Sequence, residues 1–309
     1  MSSAITHTAT GNLIRRSALS NYGTPVRSLS EAVDAIGFSI TQEPISRAAT
    51  GTVIPGELGL FRSDNGGCLG IHSPNFSFLQ PADSLATLER ARQIVGGEWC
   101  SAATVKGGRM LAAFIQIDTA ITAPRRGDKI GLSVAYFDRF DGAGRARLQL
   151  LANVLACDNG MTRQDSLVSF AEKHTGSLKD RFAALEIRLS VNLQEQVEEM
   201  RGIVGKLDNW DMTPAEVDGF ARALFPAQDE EDVSARVQAA RDEVTSGFLR
   251  GAGNVGRTRW DAFNAVTEFL DHRSTFRETE FSRAENRFES IISGTVARTR
   301  ARALELLLN

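Results

Sequence analysis

The stretch that decides the expected fold is residues 99–118, WCSAATVKGGRMLAAFIQID. Two runs of mostly apolar residues flank a short turn that contains Gly107 and Gly108. Glycine readily adopts the positive φ angles of tight turns, and apolar runs of this length are typical of strands. The pattern therefore predicts a β-hairpin with its turn at residues 106–109.

Two further hairpins of the same kind lie on either side of this one. Residues 58–73, LGLFRSDNGGCLGIHS, contain the turn sequence DNGG, and residues 129–158 place the turn sequence DGAG between two apolar runs. Between the first two hairpins, residues 82–95 have the apolar spacing of a helix, whose N-cap would be Asp83 or Ser84. Three hairpins around one helix predict a twisted antiparallel sheet with a helix on one face.

Beyond residue 161 the pattern becomes helical. Apolar residues recur at steps of three and four over residues 178–207, which predicts one long amphipathic helix. Its apolar face could be a coiled-coil seam, but packing on the sheet of the same chain is the favoured interpretation. Thr213, Pro214 and Glu216 form a helix-start signature, and further helices are expected up to the end of the sequence.

The fold class that we expect is α+β: a twisted antiparallel β-hairpin sheet with one or more packed helices, followed by a largely helical C-terminal half. Residues 1–28 are rich in Ser, Thr and Asn and are expected to be a flexible N-terminal arm. Residues 29–275 are expected to form the main α+β domain, which is β-rich over residues 50–162 and helical over residues 163–275. Residues 276–309 are expected to add a C-terminal helix.

Composition and charge narrow the class of protein. The chain has 309 residues and a net charge of −3, which gives no overall basic signal for nucleic acid. Its three cysteines, Cys68, Cys100 and Cys157, show no paired spacing, as is usual in a reducing compartment. The first residues lack the basic and apolar regions of a secretory signal, and no apolar run is long enough for a membrane span. We therefore expect a cytoplasmic protein with no membrane contact.

Residues 251–258, GAGNVGRT, match the spacing of two kinds of phosphate-binding loop. Such loops direct backbone N–H groups at a phosphate, after a β-strand and at the start of a helix. Here the preceding residues have a helical pattern, and Arg257 stands where a P-loop has lysine. We therefore interpret the segment as a glycine linker between two helices, and we expect no nucleotide, no metal and no other cofactor.

No residue pattern establishes a catalytic activity. The four histidines have no paired metal spacing, and no nucleophile motif accompanies the cysteines. Glu268 and His272 lie at positions i and i+4 of an expected helix and would share one face. A hydrogen-bonded structural pair is the favoured interpretation, and an enzyme that uses these two residues is the lesser alternative.

Basic and aromatic residues are interleaved around the third hairpin. Residues 276–288, FRETEFSRAENRF, contain the same mixture of basic and aromatic residues. Residues 102–163 contain nine Lys and Arg against five Asp and Glu, a local charge of +4. Basic side chains neutralise phosphates, and exposed aromatic rings stack on unpaired bases. The alternative interpretation is that these aromatic rings lie in the core and the arginines lie on the surface. The residues expected to bind nucleic acid are Arg125, Arg126, Lys129, Tyr136, Arg139, Phe140, Arg145 and Arg147.

Three stretches resemble the phage/plasmid-like protein family that contains domain of unknown function 932. Residues 60–83 resemble its early hairpin, and residues 145–162 with residues 174–181 resemble a strand ending in Cys-x-Asn-Gly and a helix start with a histidine. Residues 258–272, TRWDAFNAVTEFLDH, resemble its Trp-x-x-x-Asn-Ala-Val-Thr-Glu signature. The resemblance implies a mobile-element origin and an α+β domain with a helical C-terminus, and it implies no activity. The signature residues, for which we expect a structural role, are Trp260, Asn264, Glu268, Asp271 and His272.

Two functions of different classes follow from these patterns. In outline, a hairpin sheet crossed by a long helix is similar to the phage single-strand annealing proteins of the RecT, Erf and Redβ type. This similarity implies a homo-oligomer that binds and anneals single-stranded DNA in recombination or replication, without nucleotide hydrolysis. The alternative is a protein-interaction module of a mobile element, which binds a host or phage protein and makes no nucleic-acid contact. Its partner surface would be the apolar face of residues 178–207 and the acidic stretch that follows it.

Overall fold

The part of the chain that the computed structural model describes is residues 6–7, 13–14, 23–125, 127, 129–154, 159–162, 169–251 and 254–309. Arg126, Cys157 and most of the expected N-terminal arm lie outside these ranges. The strands are β1 (Thr6–His7), β2 (Leu13–Ile14), β3 (Thr24–Pro25), β4 (Ile40–Ser46), β5 (Val53–Arg62), β6 (Cys68–His72), β7 (Glu98–Val105), β8 (Met110–Thr122), β9 (Lys129–Arg139), β10 (Ala146–Val154), β11 (Asn159–Thr162) and β12 (Ser169–Glu172).

The helices are α1 (Leu29–Ile36), α2 (Pro81–Val95), α3 (Leu178–Asn209), α4 (Pro214–Leu224), α5 (Ala235–Arg250), α6 (Arg259–Glu268), α7 (Arg283–Ser293) and α8 (Thr295–Leu308). A π-helical turn, Phe269–Arg273, follows α6. The strands come first along the chain and the long run of helices comes second, so the expected α+β class is confirmed.

The larger sheet has seven strands, in the order β11-β10-β9-β8-β7-β3 with β12 also paired to β10. Strands β7 to β10 form an antiparallel meander, as the second and third hairpins predicted. In the first turn of this meander Gly107 and Gly108 have positive φ angles, which is the conformation for which they were expected. At the far edge, β12 pairs with residues 146–149 of β10 and β11 pairs with residues 151–154. Two short strands therefore cover almost the whole outer edge of β10.

The first hairpin belongs to a second sheet, which corrects the single sheet predicted from the sequence. Strands β5 and β6 pair as expected, but they join β4 in a three-stranded antiparallel sheet. The short strand β3 already occupies the edge of β7 that the hairpin would need, since Thr24 pairs with Ala102. His72 Nε2 lies 2.7 Å from the carbonyl oxygen of Phe140 and joins the small sheet to the large one.

Helix α2 packs on the large sheet as expected, but it begins at Pro81 rather than after Asp83 or Ser84. Proline is favoured in the first turn of a helix because its missing N–H needs no partner there. Gln80 is the N-cap residue, and its side-chain amide both donates to and accepts from the backbone of Ile40, each time at 2.9 Å. This contact with β4 anchors the residue that precedes the helix.

The longest helix, α3, packs against α2, β8, β12, α6 and α8. In the part of α3 whose side chains the structure describes, Val197, Met200, Val204 and Leu207 are buried. The apolar face therefore packs within the same chain, which was the favoured interpretation, and over these residues it is not open to a partner protein. None of the helices in the described ranges is both long enough and apolar enough to cross a membrane.

Residues 276–309, which were expected to add one helix, contain two. Helix α7 ends at Ser293 and α8 begins at Thr295, with Gly294 between them in a non-helical conformation. A Cβ atom at Gly294 would lie 2.6 Å from the Cα atom of Ser290, so any other residue would clash in this close turn. Ser290 Oγ accepts a hydrogen bond from the N–H of Val296 at 3.2 Å and helps to start the second helix.

Candidate nucleic-acid interface

A cleft of about 430 Å³, which we call the arginine cleft, lies between the β9–β10 turn and the junction of α7 with α8. The meander brings Arg139 and Arg147 to one wall, and α8 brings Arg298 to the other. Arg145 lies beside them and lines a small adjoining pocket. Three of the expected nucleic-acid-binding residues thus come together. Arg298 joins them although no local signal in the sequence links it to the hairpin.

Arg139 is a fixed part of the wall rather than a free cation. Its Nε and Nη2 donate to the two carboxylate oxygens of Asp141, at 3.0 and 2.6 Å, and its Nη1 donates to Glu289 of α7. Burial opposes its charge, but the hydrogen bonds with these two carboxylates hold the pKa of Arg139 above its ordinary value. Glu289 also accepts a hydrogen bond from Lys106 in the β7–β8 turn. This network attaches α7 to the sheet and sets the width of the cleft.

Arg145 and Arg147 carry charge that no carboxylate balances within the part of the chain that the structure describes. Arg145 is exposed and Arg147 is half-buried. Burial lowers the pKa of Arg147, and the nearby charges of Arg145 and Arg139 lower it further. Arg298 is exposed and donates to the uncharged hydroxyl of Thr295 at 3.2 Å. An anion in the cleft would relieve the repulsion among these guanidinium groups.

The first turn of α8 opens on the same cleft through Gly294 and Thr295. Gly294 is the N-cap residue and provides no side-chain hydrogen bond. The N–H groups in the first turn of a helix lack partners within the helix and carry partial positive charge, so they favour anions. The helix terminus therefore adds to the attraction of the arginines for a phosphate group.

The other basic residues expected to bind nucleic acid lie elsewhere. Arg125 is paired with acids near the end of α3: its backbone N–H donates to Asp208 at 2.6 Å, and its Nη1 donates to Asp211 at 2.6 Å. The hydrogen bond with Asp211 raises the pKa of Arg125. Lys129 is exposed at the first position of β9, so the length of that strand, roughly 34 Å, separates it from Arg139. The basic residues of the hairpin therefore form two separate groups.

Tyr136 and Phe140, which were expected to stack on bases, are completely buried, and that expectation is corrected. Strand β9 lies in the middle of the large sheet and is covered on both faces, so its residues are buried without alternation. The Tyr136 hydroxyl donates to Asp138 Oδ2 at 3.0 Å. Burial, together with the charge of Asp138, raises the pKa of Tyr136 well above its ordinary value. Both rings belong to the core and present no face to a ligand.

A buried polar cluster next to these rings was not found from the sequence. His174 precedes α3, with its Nδ1 2.9 Å from the carbonyl oxygen of Ser77. Its Nε2 lies 3.1 Å from Asp138 Oδ1, an ion-pair distance without linear hydrogen-bond geometry. Burial opposes the charge of His174, but Asp138 outweighs it and raises the pKa of His174 above 6.5. The rings of His72, Phe76 and His174 stack in that order, with centroids 3.7 and 4.7 Å apart.

The first part of the family signature forms α6 and lies in the core. Trp260 is completely buried and Asn264 nearly so. Further along the signature, Asp271 forms an ion pair with Arg300 of α8, and both side chains are buried. The signature thus connects α6 to the last helix of the chain.

The end of the signature differs from the regular helix that we expected. Phe269–Arg273 form a π-helical turn, in which hydrogen bonds span five residues rather than four. Glu268 accepts a hydrogen bond from Arg273, five residues on, at 3.0 Å. His272 is exposed and lines a second cleft instead. The expected pairing of Glu268 with His272 is therefore corrected, because the wider turn rotates His272 off that face.

The glycine segment at residues 251–258 surrounds a carboxylate of the protein itself. The N–H groups of Val255, Arg257 and Thr258 donate to the side chain of Asp261, at 3.4, 2.9 and 3.1 Å. Two residues of the segment lie outside the described part of the chain. Because α5 precedes the segment and α6 follows it, it links two helices as expected. Asp261 occupies the position that an anion would take among these N–H groups.

Replacing Asp261 by alanine is expected to lower the free energy of unfolding by about 2 kcal/mol, because the change removes the capping box of α6 and the acceptor of several backbone N–H groups. The urea midpoint at unchanged slope measures this loss. Asp242→Ala is the matched control, since Asp242 is exposed and accepts a hydrogen bond from Gln238, and it is expected to stay within about 0.5 kcal/mol of the wild type. Equal stability of the two variants would contradict the role of Asp261.

Comparison with known proteins places most of this chain in one family. A family model described as "Domain of unknown function (DUF932)" matches residues 68–292. The match runs from β6 into the last turn of α7 and includes Arg139, Arg145 and Arg147, whereas Arg298 lies beyond it. No curated protein and no solved structure matches the chain.

Proposed function

Because the chain belongs to the family of the domain of unknown function DUF932, whose description states no activity, we propose its function from the arginine cleft. The protein binds the phosphate backbone of single-stranded DNA in this cleft. It acts as an annealing protein in DNA recombination or replication, in the cytoplasm, as a homo-oligomer and without nucleotide hydrolysis. The observation that carries the proposal is the group formed by Arg145, Arg147 and Arg298, whose charges no described carboxylate balances.

Phosphate is the anion that suits this arrangement. A guanidinium group binds two phosphate oxygens with parallel hydrogen bonds, and the first turn of a helix adds partial positive charge. Arg147 lies on the sheet side of the cleft, with Arg145 in the adjoining pocket, and Arg298 lies on the helix side, so successive phosphates of one DNA strand contact both walls. A DNA strand, which carries several phosphates, therefore balances more of the local positive charge than a single small anion does.

The rest of the structure supports a backbone binder that uses no nucleotide. Annealing requires none, because base pairing supplies the free energy, and the segment most similar to a phosphate-binding loop is filled by Asp261. Tyr136 and Phe140 are buried, so they add no base contact at this cleft. Affinity at the arginine cleft is therefore expected to depend little on base sequence and strongly on salt.

The test is a fluorescence-anisotropy titration of a labelled single-stranded oligonucleotide at about 50 and about 200 mM salt. Three phosphate contacts give a slope of log K against log salt of about −2, so the wild-type affinity is expected to fall about 20-fold between these concentrations. The double variant Arg147→Ala with Arg298→Ala is expected to bind at least about tenfold more weakly at the lower salt. Its salt slope is expected to be smaller by about 1.4.

Arg302→Ala is the matched control for the double variant. Arg302 is exposed on the same helix as Arg298, but it pairs with Glu305 at 2.8 Å. The control is expected to bind DNA like the wild type. The proposal fails if the wild type shows no binding at the lower salt, or if the double variant binds as tightly as the control.

The alternative, a protein-interaction module that binds a host or phage protein, is favoured by one feature. Leu249 and Val255 are large apolar residues that are 46% and 60% exposed, and Leu249 packs close to Gly256, the neighbour of Val255. A pull-down with the wild type and with Val255→Asp distinguishes the two functions. A partner that survives nuclease treatment and is lost with Val255→Asp supports the alternative.

A further inference from the structure

A second cleft, of about 500 Å³, lies on another side of α7 and differs in character from the first. Its floor is apolar, because Phe288 and Ile291 are buried there, and the half-buried ring of Phe276 forms a wall. Its rim is basic, with Arg283 and Arg287 of α7. We call it the aromatic cleft. It suits a ligand that is flat and apolar in one part and anionic in another.

Arg287 has a donor group that lacks a hydrogen-bond acceptor within the described part of the chain. The residue is half-buried, and its Nη2 atom is shielded from solvent with no hydrogen-bond acceptor among the residues that the structure describes. Its guanidinium carbon lies 5.9 Å from the centre of the Phe276 ring, near the outer limit of a cation–π contact. A buried N–H without an acceptor is unfavourable, so rotation of the guanidinium group toward an anionic oxygen in the cleft is favoured.

The acids near the aromatic cleft leave the charge of Arg287 in place. Asp271, on the lining, is paired with buried Arg300. Glu278 lies 3.5 Å from Arg283, and both side chains are largely exposed, so water and salt screen that pair. The rim therefore keeps a positive charge directly beside an aromatic ring.

We propose that the aromatic cleft binds a nucleotide unit of single-stranded nucleic acid, with its base against Phe276 and its phosphate at Arg287. This inference rests on the proposed function and deepens it. The two clefts are lined by different faces of α7, so they are separated by the diameter of one helix, about 10 Å. A nucleic-acid strand whose backbone lies in the arginine cleft can therefore reach the aromatic cleft. Base stacking on a ring is tolerant of sequence. The cleft supplies the base contact that Tyr136 and Phe140, in the core, do not.

The experiment compares binding of a labelled oligonucleotide with binding of an abasic strand of the same length, which keeps the phosphates and lacks the bases. The wild type is expected to bind the strand with bases about tenfold more tightly. Phe276→Leu is expected to abolish this preference and to leave the salt slope unchanged, because it removes the ring and keeps the arginines.

Phe281→Leu is the matched control for Phe276→Leu. Phe281 is also half-buried and lies in the same segment, but its ring contacts Lys106 and Arg109, with distances of 5.0 and 5.3 Å to the ring centre. This variant is expected to keep the preference for bases. If it loses the preference to the same extent as Phe276→Leu, the assignment of the site is overturned.

Ala284→Trp tests the cleft without removal of a packed ring. Ala284 is exposed on the lining, so a tryptophan there fills the cleft and is expected to abolish the preference as well. If the wild type binds both strands equally, this inference is wrong while the proposed function stands. If neither strand binds at low salt, the proposed function fails and this inference fails with it.

Discussion

Replacing Arg300 by methionine is expected to lower the free energy of unfolding by about 3–5 kcal/mol, because it breaks a buried ion pair and leaves Asp271 in the interior. Arg300 is completely buried and Asp271 is 2% exposed, so the remaining carboxylate would be poorly hydrated. The measurement is the shift of the urea midpoint at unchanged slope. The effect is expected to be large because the pair joins the family signature to α8, across separate parts of the chain.

Two further variants separate the cost of an unpaired charge from the value of the pair itself. Asp271→Leu combined with Arg300→Met buries no charge, so it is expected to be more stable than Arg300→Met alone. Arg302→Ala, on the exposed face of the same helix, is expected to lose less than about 1 kcal/mol. If Arg300→Met loses no more than Arg302→Ala, the buried pair does not stabilise the fold.

Unfolding measured between about pH 6 and about pH 9 is expected to show that the charge on His174 stabilises the protein. Burial opposes this charge, but Asp138, with a smaller effect from Asp141, raises the pKa of His174 above its ordinary 6.5 in the folded chain. A group with a raised folded-state pKa contributes stability below its unfolded pKa and loses it as the pH rises through the folded-state pKa. The contribution is therefore complete below about pH 6.5 and disappears at higher pH.

His174→Leu is expected to lower the free energy of unfolding by about 3 kcal/mol near pH 6, because it removes the group that faces Asp138 in the interior. Its stability is expected to vary less with pH than that of the wild type over this range. His272→Gln changes an exposed histidine and is expected to follow the wild-type profile. Parallel pH profiles for His174→Leu and the wild type would exclude the charge of His174 as the cause.

Local signals predicted the parts of the fold that depend on neighbouring residues. Thr213 and Glu216 form the capping box that their spacing predicted, and α4 begins there. Gly107 and Gly108 form the turn expected of them, because a positive φ is a property of the residue itself. The long apolar stripe of α3 also predicted a real helix. In each case the physical cause lies within a few residues of its effect.

Contacts between distant segments account for the differences from prediction. The residue before α2, Gln80, is held by Ile40 of β4, and the first hairpin leaves the large sheet because β3 takes the edge of β7. The arginine cleft forms only when α8 returns to the β9–β10 turn, so no spacing in the sequence could associate Arg298 with Arg147. Local sequence patterns contain no information on such contacts between distant segments.

The burial of Tyr136 and Phe140 was, in contrast, accessible from the sequence. A strand with one face in water alternates polar and apolar residues, whereas the run around Tyr136 is almost continuously apolar. Such a run indicates a central strand that is covered on both faces, and β9 is that strand. The interleaving of aromatic residues with arginines suggested an exposed surface. The lack of alternation between polar and apolar residues was the stronger signal, and it indicated burial.

The two short strands along β10 protect that strand from pairing with another chain. A sheet edge with free N–H and C=O groups allows another copy to extend the sheet, which leads to fibres held by backbone pairing. Along β10 these groups are already paired with β11 and β12. Another chain therefore cannot add a strand directly to β10 along these residues.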